Sequence, residues 1–96
     1  MSRQGVRTDD GTIVVPITDR LDLHSFRPEE TRDIVAEYLS AAQRDGIRQV
    51  RVIHGRGIGA QRRSIRQLLA SHPRVIGFED APPEGGGWGA TVVTLR

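Results

Sequence analysis

The sequence predicts an α/β fold: a two-layer α/β sandwich in the order βαβαββ, with a mixed four-stranded sheet covered on one face by two helices. Three observations predict it. Strand-like and helix-like runs alternate from Leu21 to Ser71, the pattern of a βαβ unit extended by one helix. Two short apolar runs, Val75–Phe78 and Ala90–Leu95, then close the chain with no helical period between them. Ninety-six residues with 36% apolar content suffice for one modest core and not for two.

Residues 1–11 are polar, carry a turn at Asp9-Asp10-Gly11, and read as a flexible N-terminal arm; the domain proper is residues 12–96. Thr12–Ile17 is β-branched and reads as a strand, with Pro16 confining it to an edge or a lead-in. Leu21-Asp22-Leu23-His24 alternates, so in a strand Leu21 and Leu23 face the core while Asp22 and His24 lie side by side on the other face. Pro28 opens a helix whose first turn holds Glu29 and Glu30. Its apolar stripe is Ile34, Val35, Tyr38, Leu39 and Ala42, and Gly46 caps its end. A strand at Gln49–Ile53 runs into a glycine loop. A second helix, Gln61–Ser71, buries Ile65, Leu68 and Leu69, turns Arg62, Arg63 and Arg66 outward, and is stopped by Pro73. Val75–Phe78 is a strand, residues 79–89 a loop rich in proline and glycine, and Ala90–Leu95 the last strand.

There is no cysteine, which excludes disulfides, thiolate metal sites and a cysteine nucleophile. No apolar run approaches the ~20 residues of a membrane span, and the first residues lack an apolar signal core, so a soluble cytoplasmic protein with no membrane association is expected. All 14 basic residues are arginine, and they are unevenly placed. Arg44 to Arg74 holds eight arginines against one acid, Asp45, whereas residues 1–43 hold five against eight acids. Arginine's planar fork suits bidentate phosphate contacts, so a polyanionic partner, DNA or RNA, is implied.

The basic stretch contains His54-Gly55-Arg56-Gly57-Ile58-Gly59-Ala60. Glycines at alternate positions, Gly55, Gly57 and Gly59, let backbone approach a ligand and expose the N–H groups of the following helix to a phosphate. In a right-handed βαβ unit the strands before His24 and His54 are parallel, so both histidines sit at the carboxyl ends where open α/β sheets bind ligands. Two imidazoles beside a phosphate nest suit general acid–base cleavage of a phosphodiester, one taking a proton and the other protonating the leaving oxygen. Asp22 would orient His24 or hold a metal or water, and Arg56 would stabilise transition-state charge. Asp22 is the only acid in either block, so a Mg²⁺ or Mn²⁺ site is thinly supplied. Arg56, Arg62, Arg63 and Arg66 form the expected phosphate-facing surface. A rival pattern, Gly55-x-Gly57-x-x-Ala60 with Glu79 downstream, is similar to a dinucleotide fingerprint, but the chain leaves no room for a second mononucleotide half.

Three blocks, Leu21-Asp22-Leu23-His24, His54-Gly55-Arg56-Gly57-Ile58-Gly59 and Gly86-Gly87-Trp88-Gly89-Ala90-Thr91-Val92-Val93, together resemble the Smr domain, the small MutS-related nuclease module. The resemblance runs from Leu21 to Leu95. It implies a sandwich like the C-terminal domain of translation initiation factor three, and endonuclease activity on DNA or RNA, in DNA recombination and repair or in ribosome-linked RNA quality control. Carried over by motif, Asp22, His24, His54, Gly55 and Gly57 are site residues. Ser25 stands where the family usually has glycine, and some relatives carry arginine in place of His24. The expected function is a stand-alone Smr-type endonuclease of low sequence specificity. The alternative is a non-catalytic module that binds nucleic acid or the ribosome through the same basic face.

Overall fold

The computed structural model describes residues 6–7, 14–15, 17–55 and 59–96. Its central sheet holds four strands in the spatial order β3 (Arg20–Asp22), β4 (Gln49–Ile53), β6 (Ala90–Leu95) and β5 (Val75–Asp80). The strand β3 runs parallel to β4. The last strand, β6, is antiparallel both to β4 and to β5. The helix α1 (Pro28–Arg44) joins the two parallel strands, and α2 (Ala60–Ser71) leads from β4 to β5. This is the expected βαβαββ sheet with two helices. No helix among the described residues is long and apolar enough to cross a membrane.

One cluster forms the core. Ile34, Val35, Tyr38, Leu39 and Ala42 of α1 pack with Ile65 and Leu69 of α2 onto Leu21, Val50, Val52, Val93 and Leu95 of the sheet, and Leu68 lies partly buried beside them. Alternation along the strands explains the layer: Leu21, Val50, Val52 and Val93 are inward and Arg20, Arg51 and Val92 are not. Tyr38 is fully buried, and its hydroxyl donates to the Thr18 carbonyl. Burial pushes that phenol well above its ordinary value.

The ends of α1 follow the sequence. Pro28 opens it after Arg27, with Glu29 and Glu30 in the first turn. At its other end Gly46 adopts φ +84°, Gly46 N–H donates to Gln43 and Ile47 N–H to Ala42, a Schellman cap that folds Ile47 back onto the core. The two helices are tied by Arg32, whose Nη1 donates to the Ser64 carbonyl at 2.7 Å, and by His72, whose Nε2–H donates to the Ala36 carbonyl at 3.1 Å.

Three boundaries differ from expectation. The extended run from Leu21 stops at Asp22, because the Asp22 carboxylate accepts the His24 backbone N–H at 2.9 Å and turns Leu23–Ser25 into a single 3-10 turn. The segment read as a strand from Thr12 to Ile17 is described as β2 (Val14–Val15), with Thr12, Ile13 and Pro16 outside the described residues. It pairs antiparallel with β1 (Val6–Arg7), which falls within the stretch read as an arm, and neither strand joins the central sheet. Finally, β5 continues through Glu79 to Asp80, with its register shifting between Val75 and Gly77.

Candidate active site

Parallel pairing sets Asp22 beside Ile53 at the carboxyl ends of β3 and β4, so the segments after both strands leave the same edge of the sheet. The turn at Leu23–Ser25 buries Leu23 and leaves His24 in solvent. His24 does not continue the strand, yet it stays with Asp22: Nδ1 lies 2.6 Å from Asp22 Oδ1, the same oxygen that accepts the His24 backbone N–H. These bonds hold the Asp22 carboxyl below its ordinary value, the backbone bond contributing most. A carboxylate oxygen only accepts, so Nδ1 carries the hydrogen and Nε2 of the neutral ring presents its lone pair. That nitrogen faces Gly55. A Cβ built on Gly55, which has φ +80°, would lie 3.3 Å from His24 Nε2. Glycine is required there twice over, for the left-handed backbone and for room beneath the imidazole.

His54 takes the opposite direction. Its position after Ile53 continues the inward parity of Val50 and Val52, and its side chain is 7% exposed. Its Nδ1–H donates to the Gly55 carbonyl at 2.9 Å, and the Thr91 hydroxyl donates to Nε2 at 2.9 Å. The backbone N–H groups of His54 and Gly55 both donate to the Gly89 carbonyl, at 3.1 and 2.8 Å. Both ring nitrogens are therefore engaged within the protein. The structure brings Asp22, His24 and Gly55 together, and directs the His54 ring into the core instead of toward His24. Arg56 and Gly57 lie outside the described residues, while Gly59 precedes α2 with φ +86°.

The arginines of α2 divide. Arg62 Nη2 and Arg66 Nη1 both donate to Asp80 Oδ1, at 2.8 and 3.0 Å, and the Arg66 guanidinium lies 4.9 Å above the Phe78 ring. Arg63 is exposed. The outward phosphate-facing row expected of all three thus has one exposed member and two engaged with an acid, because β5 reaches Asp80. Two guanidiniums against one carboxylate still leave a positive charge beside the start of α2. The hydrogen bond from Arg62 is the main cause of Asp80's depressed carboxyl pKa.

Sequence reasoning assigned no role to Thr91, Gly89 or Asp80. Thr91 carried a readable signal, a polar residue at an inward position of β6 in line with Val93 and Leu95. For metals, Asp22 and His24 supply two donors, and no group of three or more His, Asp or Glu side chains placed to hold an ion occurs among the described residues.

Burial pushes the His54 imidazole below its ordinary value; the Gly55 carbonyl opposes this, the charges of Arg62 and Arg66 add to it, and Asp80 opposes it. The sign of the linkage follows. Above the unfolded-chain value of ~6.5 the ring is neutral in both states and stability is level. Below it the unfolded chain takes up a proton that the folded ring refuses, so stability falls with pH until the folded ring is protonated too. The depressed carboxyls of Asp22 and Asp80 add a separate decline only below about 3.9. Urea midpoints should fall between pH 7 and 5 and do so less in His54→Gln; a midpoint rising toward acid would contradict the buried neutral ring.

The sequence profile of the Smr domain matches residues 21–96. The chain is 39% identical over 77 residues to "Endonuclease MutS2" of Latilactobacillus sakei subsp. sakei (strain 23K), a match covering 80% of this chain and 10% of that protein. It is 45% identical over 77 residues to "Endonuclease MutS2" of Enterococcus faecalis (strain ATCC 700802 / V583), again covering 80% and 10%. The chain thus spans about a tenth of the length of the curated relatives it matches. Among solved structures, the Smr domain of Thermus thermophilus MutS2 superposes with a TM-score of 0.77 at 40% identity, covering 82% of this chain and 99% of that one. YdaL, a stand-alone small MutS-related protein from Escherichia coli, gives 0.69 at 32% identity, covering 81% and 64%.

Proposed function

The chain belongs to the Smr domain family, and from that membership together with the site geometry we propose that it is an endonuclease of low sequence specificity, with His24 as general base and Asp22 as its orienting carboxylate. The observation that carries this reading is the 2.6 Å bond from His24 Nδ1 to Asp22, which leaves Nε2 as the acceptor directed at the glycine loop. A base so held takes the proton of an attacking hydroxyl as its oxygen bonds to phosphorus and the P–O bond to the leaving oxygen breaks; the Asp22 carboxylate stabilises the resulting imidazolium until it returns the proton to solvent, and water protonates the leaving oxygen. The positive start of α2 receives the phosphate, and Arg63 adds an exposed cation. These contacts are to the backbone of the nucleic acid and carry no base information.

RNA is the easier substrate on this chemistry, because its 2′-hydroxyl is an internal nucleophile already next to the phosphorus, whereas DNA requires a positioned water.

Incubating the purified protein with structured RNA and with supercoiled plasmid, each with and without chelator, tests the reading. RNA is expected to be cut faster than plasmid, with cleavage retained in chelator. Loss of cleavage in chelator, restored by Mg²⁺ or Mn²⁺, would make Asp22 a metal ligand and remove the base role from His24. Salt-sensitive binding with no cleavage of either substrate would leave the module a binder alone.

A further inference from the structure

Thr91 is fully buried on β6, among residues that are otherwise apolar on that side of the strand. A hydroxyl at such a position is unfavourable unless it has a partner, and its partner is His54 Nε2. Beyond His54 the connection continues through Nδ1–H to the carbonyl of Gly55, the residue whose missing side chain makes room for His24 Nε2. Gly89, two residues before Thr91 in the chain, holds the same two residues by their backbone N–H groups. The third sequence block therefore grips the second at both side chain and main chain, and the gripped segment forms the floor beneath the imidazole.

Resting on the reading of His24 as the base, we propose that Thr91 is a positioning residue: the Gly55 carbonyl sets the Nδ1–H tautomer of His54, and the Thr91 hydroxyl anchors that ring at Nε2, which fixes the Gly55 carbonyl and sets the glycine backbone at its working distance from His24. Thr91 touches no substrate and acts only through His54. The carbonyl accepts a bond only from a protonated Nδ1, and a neutral ring protonated at Nδ1 has only an acceptor left at Nε2. A donor is needed at Nε2, and Thr91 supplies it. Valine has the shape of threonine and no donor, and serine has the donor and lacks the methyl group.

The two variants separate positioning from packing, because the two roles predict opposite orders. With positioning, Thr91→Val folds but lowers kcat on RNA on the order of 10-fold to 100-fold through a misplaced floor, with KM changed much less, and Thr91→Ser stays near the parent. With packing alone, Thr91→Val is harmless and Thr91→Ser, which leaves a methyl-sized gap, is the damaged one. A readout independent of cleavage is ¹⁵N NMR of the histidine rings in the full chain. His54 is expected as an Nδ1–H tautomer whose Nε2 accepts a hydrogen bond in the parent and in Thr91→Ser, with the Nε2 resonance moving to that of a ring without a donor in Thr91→Val. An Nε2–H ring in the parent, or an unchanged ring in Thr91→Val, overturns the proposal whatever the activity. If the ring shifts as expected while His24→Ala keeps its full rate, the reading of His24 fails, and with it the catalytic role assigned to Thr91.

Discussion

Replacing His24 with alanine is expected to lower the rate of phosphodiester cleavage by ~10²–10⁴-fold, the usual contribution of a positioned general base, and to leave affinity for an oligonucleotide nearly unchanged. The side chain is 67% exposed and, among the described residues, bonds only to Asp22, its neighbour in the turn, so its removal takes nothing from the core. The backbone bond from residue 24 to Asp22 survives in the variant and keeps the turn. Asp22→Asn separates orientation from proton affinity. An amide oxygen at the place of Oδ1 can still accept both hydrogens, but it brings no negative charge to stabilise the imidazolium. Its rate is expected between those of the parent and His24→Ala. Single-turnover cleavage and filter binding on one RNA measure both quantities. A parental rate in His24→Ala would remove the imidazole from the chemistry.

Gly55→Val should be the most damaging single change in the loop, reducing both stability and cleavage. Left-handed backbone at a β-branched residue costs on the order of 1–3 kcal/mol, and at φ +80° that cost falls on a residue tied at 2.8 Å to the Gly89 carbonyl. The new Cβ would lie 3.3 Å from His24 Nε2, so the imidazole must give way from the place where a substrate hydroxyl would meet it. Gly55→Ala carries the backbone cost with less displacement, and should lose stability with a smaller loss of rate. Urea midpoints and cleavage rates measured on both variants check this. Equal rates for Gly55→Val and the parent would mean that this glycine gives no room to the base.

The fold was legible because it is written in periods. The stripe Ile34, Val35, Tyr38, Leu39 and Ala42 is buried as read, and Leu21, Val50, Val52 and Val93 line the inward face by strand alternation. The site was legible as a place and only partly as an arrangement. Parallel strands bring the two histidine-bearing segments to one edge, as topology requires. Pairing the two rings overlooked the strand parity that carries His54 inward, and local chemistry at Asp22 ended the strand one turn early through a bond that alternation does not register. The helical period of α2 likewise turns Arg62 and Arg66 away from the core, but it cannot say that an acid on a strand of another layer will meet them. Asp80 does so only because β5 runs two residues past Phe78.

The two edges of the central sheet also bear on how the domain behaves in crowded solution. At one edge β3 has only three residues. At the other, β5 breaks its register between Val75 and Gly77 and ends in Glu79 and Asp80. A strand arriving from another molecule needs a straight run of free backbone groups, and a bulge denies it one. Ile76, 62% exposed, sits at that break, so the one large apolar side chain offered to solvent among the described residues lies where strand-to-strand zipping stalls. Edge-on growth into fibrils is thereby disfavoured.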